Sequence, residues 1–245
     1  MKDTVPPTAD KAAVVRVMFD RIAPRYDALN RLFSFRLDQH WRRVTVRTIG
    51  ISAADTVVDL ACGTGDLAEL AVRAGARVVG VDFAANMLTR ARRRGIDVAF
   101  VQADANCLPL PAAWATVVIS GFALRNFVSI PAVLAEAARV LAPGGRLALL
   151  EVDTPGNWLL RWGHGVYFTQ IVPLLGALFS DAKAYAYLPR SVAYLPESAV
   201  LQRVVEAAGF RQVEKRRLSG GVAQLITAIR QGEEAERRSG KKGNI

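Results

Sequence analysis

VVDLACGTGDLAEL, residues 57–70, joins a run of buried-strand character to the first turns of a helix through Gly63-Thr64-Gly65. Glycine lets a backbone turn tightly and come close to a ligand, and the free N–H groups of the helix that follows offer hydrogen bonds to it. A strand that enters a helix in this way opens a βαβ unit. The next apolar run, Arg77–Val81, supplies the second strand and ends in Asp82.

Working outward, Thr56–Leu60, Arg77–Val81, Val98–Val101, Ala115–Ser120 and Arg146–Val152 read as strands, and Asp66–Arg73, Ala84–Arg94 and Ser129–Leu141 as helices. The strands are continuous Val/Ile/Leu runs, the pattern of strands covered on both faces. Their alternation with helices predicts an α/β fold with a doubly wound, mostly parallel, Rossmann-like sheet. Pro143-Gly144-Gly145 reads as a turn between a helix and a strand. Further on, Glu197–Ala208 reads as a helix capped by Gly209, and Phe210–Arg216 and Gly221–Arg230 as two closing strands. Upstream, the periodicity predicts helices at Lys11–Ile22, Tyr26–Phe33 and Asp38–Ile49. The expected organisation is a helical cap over residues 1–50, an α/β domain over 51–230 with an aromatic insertion at 153–196 above the site, and a flexible, solvated tail at 231–245.

At 245 residues, 51% hydrophobic and 22% charged, the composition excludes a disordered or collagenous chain. Cys62 and Cys107 are too few for a disulfide scaffold and lack zinc-ligand spacing, so no metal site and a reducing, cytoplasmic setting are expected. The first residues, MKDTVPPTADK, lack the apolar run of a secretory signal. Trp162–Ser180 carries no charge over 19 residues, but its glycines, Gln170 and Pro173 weigh against a membrane span. Residues 1–47 hold ten basic and five acidic side chains, half of the net +10. That balance suits an anionic membrane surface or nucleic acid. The aromatic residues gather in the insertion and not among the arginines of the cap, so no specific nucleic-acid partner is expected.

Asp82 lies 19 residues beyond Gly63, at the point where a strand-end carboxylate can accept both hydroxyl hydrogens of a ribose. Gly63, Gly65 and Ala68 also satisfy the dinucleotide pattern G-x-G-x-x-A, so the loop alone fits two cofactors. Asp59 tips the balance. A carboxylate four residues before Gly63 attracts a cationic amino group and repels a pyrophosphate, which favours S-adenosylmethionine over NAD. Asp104 is placed to accept from an adenine amine, Ala105 adds a backbone N–H, and Ser120 and Gly121 end the fourth strand at the same sheet edge.

With these residues and the Pro-Gly-Gly turn, the chain resembles a class I methyltransferase that uses S-adenosylmethionine. From Phe19 to about Arg230 it is similar, more narrowly, to the demethylmenaquinone and ubiquinone C-methyltransferase family. FDRIAPRYDALNRLFS matches that family's opening signature, GFALRN (121–126) its segment after the fourth strand, and Leu218-Ser219-Gly220-Gly221 its last turn. Asp181, Tyr185, Tyr187, Leu188 and Ser191 match D-x-x-x-Y-x-Y-L-x-x-S. The chain departs from the pattern at Arg36, where the family has glycine, at Leu195-Pro196, and at Ala123. Matching by Phe122 also puts Gly121, not Ser120, at the family's cofactor-contacting serine.

The resemblance implies methylation of a ring carbon on a polyprenylated, lipophilic quinol. Arg125 would stand at the ring hydroxyl, with Tyr187 and Tyr185 lining the ring pocket. A guanidinium has no lone pair to act as base, so Arg125 is expected to stabilise the quinolate while water or a carboxylate takes the proton. A structural arginine paired with Asp153 is the alternative. The Trp158–Phe179 segment would meet the prenyl tail or rest on lipid headgroups, giving peripheral membrane association. A methyltransferase for another lipophilic or natural-product acceptor is the competing reading.

Overall fold

The computed structural model describes residues 8–167, 170 and 194–232. In chain order these form α1 (Thr8–Ile22), α2 (Tyr26–Phe33), α3 (Leu37–Ile49), β1 (Thr56–Leu60), α4 (Asp66–Arg73), β2 (Arg77–Asp82), α5 (Ala85–Arg93) and β3 (Ala99–Gln102). They continue with β4 (Ala115–Gly121), α6 (Ile130–Val140), β5 (Leu141–Val152), α7 (Trp158–Val166), α8 (Ser198–Ala207), β6 (Phe210–Leu218) and β7 (Ala223–Arg230). The strands make one sheet in the order β3-β2-β1-β4-β5-β7-β6, with β7 antiparallel to both of its neighbours and the other pairs parallel. The reversal of strand order beside β1 is the switch point at which open α/β sheets bind ligands.

Side chains alternate across the sheet and feed two cores. Val58, Leu60, Val118, Leu147 and Leu149 pack with α6 and α8. Val57, Val117, Ile119, Ala148 and Leu150 pack with Trp41 and Val46 of α3 and with Leu67, Ala68 and Ala71 of α4. Asp59 and Gly121 follow that second set in register, so both face the α3/α4 side.

The expected strands and helices form within three residues of their predicted ends, except at Pro143-Gly144-Gly145. That segment lies inside β5 as a bulge. Ala115 pairs with Leu141 and Val117 already pairs with Arg146, so β5 loops out extra residues there, with Gly144 at φ 76°. More than half of the predicted insertion, including Tyr185 and Tyr187, and residues 168–169 and 171–180 of the uncharged stretch fall outside the described residues. Among the described residues no helix is long and apolar enough to cross a membrane.

The N-terminal helices are tied to the sheet edge by specific bonds. The Lys11 ammonium donates to the carbonyls of Arg125 and Phe127 at 3.2 and 2.8 Å, and the Trp41 indole donates to Ser219 Oγ at 2.9 Å. At the opposite end, Asp55 locks β1 to β4 and β5. Its carboxylate accepts from the Ser52 N–H and Thr116 hydroxyl at 2.9 and 2.8 Å and from Arg146. Burial pushes the Asp55 pKa up, but the hydrogen bonds and the Arg146 charge outweigh it and leave it depressed. A depressed carboxylate pKa gives stability that is present above about pH 4 and is lost as pH falls through the folded-state value. Asp55→Asn should therefore cost roughly 1–3 kcal/mol at pH 7, and the gap to wild type should close in urea melts below pH 4.

Candidate active site

Gly65 caps α4 in the left-handed region at φ 84°, and a Cβ built there would meet the Phe100 ring at 3.1 Å and Ile96 at 3.2 Å. Both the turn and the close approach need glycine. The Gly63 N–H donates to Asp82 Oδ2 at 2.8 Å, and the Ala84 N–H donates to Asp82 Oδ1 at 2.9 Å. One carboxylate thus fixes the loop after β1 and the entry to α5. Burial raises the Asp82 pKa, and the backbone donors of Ala84, Gly63 and Phe83 pull it back.

Asp59 is 1% exposed, and its Oδ2 has no hydrogen-bond partner. Burial raises its pKa to about 7, with Asp82 and Asp66 adding to the shift and Arg42 and the Ala68 N–H opposing it. A carboxyl so placed changes charge near neutrality and gains from any cation brought beside it.

A cleft opens beside this loop. Gly63, Asp82, Asp104, Ala105 and Gly121, five of the residues read from the sequence as cofactor contacts, line it. Asp59, Thr64, Gly65 and Ser120 are not among its lining residues. The Thr64 hydroxyl donates to Asp27 on α2 at 2.6 Å, and the Ser120 hydroxyl donates back to the Leu60 carbonyl at 2.8 Å. Both hydroxyls bond within the protein. Gly121 takes the cleft position, in keeping with the match through Phe122. Sequence reasoning missed Phe19, Tyr26, Met87 and Phe127, which close the cleft. Met87 was within reach, since it stands on the first turns of the helix that follows Asp82.

A second, mainly apolar cavity of about 420 Å³ lies beyond it, within the usual range of small-molecule sites. Phe33, Phe35, Leu37, Trp41, Leu159 and Tyr167 form its walls, with Arg42 and Arg125 among its few polar groups. Tyr26 and Phe122 line both spaces and form the partition. Burial pushes the Tyr26 hydroxyl up, partly offset by the charges of Arg42 and Arg125 and by its bond to Asn30. Arg125 reaches the cavity already paired, for its Nη1 binds the fully buried Glu151 carboxylate. Asp153, the alternative partner, pairs instead with Lys215 at 2.7 Å. Glu151 carried a signal in the sequence, a charge ending the apolar run RLALLE at the ligand edge of the sheet.

The profile of the ubiE/COQ5 methyltransferase family matches residues 7–230. A demethylmenaquinone methyltransferase from Thermus thermophilus is 46% identical over 215 residues, covering 85% of this chain and 97% of that one. A ubiquinone/menaquinone biosynthesis C-methyltransferase from Syntrophotalea carbinolica is 41% identical over 222 residues, covering 88% and 93%. Among solved structures, a putative S-adenosylmethionine-dependent methyltransferase from Methanococcus maripaludis superposes with a TM-score of 0.63 at 17% identity, covering 87% and 94%. That likeness supports the fold. The chain, with its glycine loop, strand-end acids and reversed β7, belongs to the ubiE/COQ5 methyltransferase family.

Proposed function

We propose that this enzyme transfers a methyl group from S-adenosylmethionine to a ring carbon of a polyprenylated quinol, demethylmenaquinol or its counterpart in the ubiquinone series. One observation carries the reading: a cleft at the glycine loop meets a larger apolar cavity across a partition of two rings, Tyr26 and Phe122. The residues present fit the cofactor. Asp59 has an unpartnered buried oxygen that would take a cationic amino group, and of the cleft-lining residues Asp82 would take the ribose hydroxyls and Asp104 with the Ala105 N–H the adenine. When bound, S-adenosylmethionine supplies an electrophilic methyl on sulfur, which needs a carbon nucleophile in line and a dry approach.

The protein's part is to bind, orient and stabilise charge. Aromatic walls exclude water around the acceptor ring. Arg125, its fork fixed by Glu151, donates a remaining N–H to the ring oxygen as that oxygen loses its proton, and water or a carboxylate accepts the proton. Tyr187, outside the described residues, keeps the role that the resemblance implies, orienting a ring hydroxyl. Phe35, which lines the cavity, is 73% exposed, and α7, which lines it through Leu159 and Leu160, also carries Trp158 and Trp162 at 76% and 67% exposure, with Arg36 and Arg161 nearby in sequence. This face supports reversible docking on an anionic bilayer surface from the cytoplasmic side, where a prenylated acceptor is found.

Three outcomes are expected. Arg125→Lys should keep the fold and the affinity for S-adenosylmethionine but slow single-turnover methylation of a demethylmenaquinol by at least about a hundred-fold, because lysine keeps the charge and loses the fork. Equal rates at every pH would remove Arg125 from the mechanism.

The second concerns Asp59, whose pKa near 7 makes cofactor binding pH-dependent. A cation favours the ionised carboxyl, so binding lowers its pKa and releases a proton. Affinity should fall by about tenfold between pH 8 and pH 6 and level off above neutrality. Calorimetry in buffers of different ionisation enthalpy would read the proton, and Asp59→Asn should abolish both effects.

The third is co-sedimentation with anionic liposomes. It should weaken with added salt and with Trp158→Ala or Trp162→Ala, and indifference to all three would end the docking idea.

A further inference from the structure

We infer that Arg42 binds the carboxylate of the cofactor's amino-acid end, opposite Asp59 on the ammonium group. The inference rests on the cofactor reading above and assigns it one more residue, on α3. Arg42 is 7% exposed, and its Nε has no partner. Among the described residues its guanidinium makes no hydrogen bond or ion pair. It lies over the Phe122 ring, 5.2 Å from the centroid. Arginine cannot shed its charge, so a buried, unpaired guanidinium is costly to the fold. Only two arginines are buried among the described residues, and the other, Arg125, is already neutralised by Glu151.

Position then decides what Arg42 is for. Asp59 on β1 and Gly121 on β4 face the α3/α4 side of the sheet, the side from which Arg42 approaches. A Cβ on Gly121 would stand 3.1 Å from Arg42 Nη1, so the absence of a side chain there makes room for the guanidinium beside a residue that lines the cofactor cleft. The Arg42 charge is also the largest influence holding down the acidity shift of Asp59, yet the two form no ion pair. Two buried groups of opposite charge, each with an unpartnered atom, therefore stand at one strand edge. An α-amino acid carries an ammonium and a carboxylate on a single carbon and satisfies both at once. Arg42 also borders the acceptor cavity, so an acceptor oxyanion is the competing occupant.

Calorimetry with three probes separates these. S-adenosylhomocysteine carries both charges, its decarboxylated form (5′-deoxy-5′-(3-aminopropylthio)adenosine) keeps the amine alone, and 5′-methylthioadenosine has neither. Wild type should bind the first at least about thirty-fold tighter than the second. Arg42→Gln should lose most of that preference while its affinity for methylthioadenosine stays within about threefold, and Arg42→Lys should keep part of it. The melting temperature of Arg42→Gln should hold or rise, because a buried unpaired charge has gone. If Arg42→Gln fails to fold, Arg42→Lys carries the same comparison. Equal weakening of all three probes would reduce Arg42 to a structural role. Unchanged probe affinities with a raised KM for the quinol would assign it to the acceptor, and either result overturns the proposal. If wild type binds none of the probes, the cofactor reading itself fails, an outcome distinct from a failure of Arg42 alone.

Discussion

The Asp82 carboxylate is the fixed point on which the site is built. Parallel pairing sets Leu60 of β1 beside Val81 of β2, so the loop that leaves β1 passes directly over the end of β2. Oδ2 takes the Gly63 N–H and Oδ1 takes the Ala84 N–H, so one buried side chain satisfies donors from two crossovers that would otherwise lie idle. The Cys62 N–H adds a bond to the Val81 carbonyl at 3.0 Å. Each ligand-facing element after β1 and β2 is positioned relative to this clamp, and its own ligand contacts are extra to the bonds that hold the fold.

The same edge gathers charge beyond what stability favours. Asp59, Asp66 and Asp82 are all buried at the ends of β1 and β2 and the start of α4. Asp66 is answered locally, by Arg94 at 2.6 Å, Gln39 at 2.9 Å and Arg31 at 3.6 Å, and its pKa is lowered although burial opposes this. The Arg42 charge is the largest of the influences that lower Asp66, and it acts on Asp59 as well, but Arg42 forms no ion pair with either carboxylate, and Asp59 has no cationic partner of its own among the described residues. A fold selected for stability alone would replace or pair them, since unsatisfied buried charges cost several kcal/mol. Their persistence at the ligand edge follows the pattern in which a binding site is less stable than the scaffold that holds it.

Much of the fold was legible because strand burial leaves a plain trace. Runs such as Val57-Val58 and Val117-Val118-Ile119 have no polar face, and the helices between them show clear apolar stripes. Local turn chemistry was less informative. Pro143-Gly144-Gly145 suits a tight turn between elements, and only pairing with β4 shows that the strand has already begun at Leu141. At the site, Gly63, Asp82, Asp104, Ala105 and Gly121 line the cleft, whereas Asp59, Thr64, Gly65 and Ser120, read from the same loop and strand ends, do not. Thr64 and Ser120 were read from their positions in the loop and at the strand end, but their hydroxyls are spent on Asp27 and Leu60, a choice made by tertiary neighbours. The pairing of Arg125 with Glu151 joins positions 26 residues apart and leaves no local signature beyond a charge at a strand end. Arg42 was invisible for the same reason: on α3 it reads as one more surface arginine in WRRVTVR.

Phe122 shows how the partition between the two spaces is held in place. It has φ 62°, a left-handed conformation that a bulky residue adopts only at a cost of order 1 kcal/mol or more. Three contacts hold it there. Its N–H donates to the Leu150 carbonyl at 2.7 Å, its ring packs on Trp41 at 6.1 Å between centroids, and Arg42 lies over its face. Relaxing the backbone would carry the ring away from the partition and merge the two spaces into one. A merged cavity would admit water to the path between them and release the acceptor ring from alignment. The strain is thus bound to the geometry that methyl transfer needs, and the contacts that maintain it come from α3 and β5, elements that the sheet order brings to the same edge as the glycine loop.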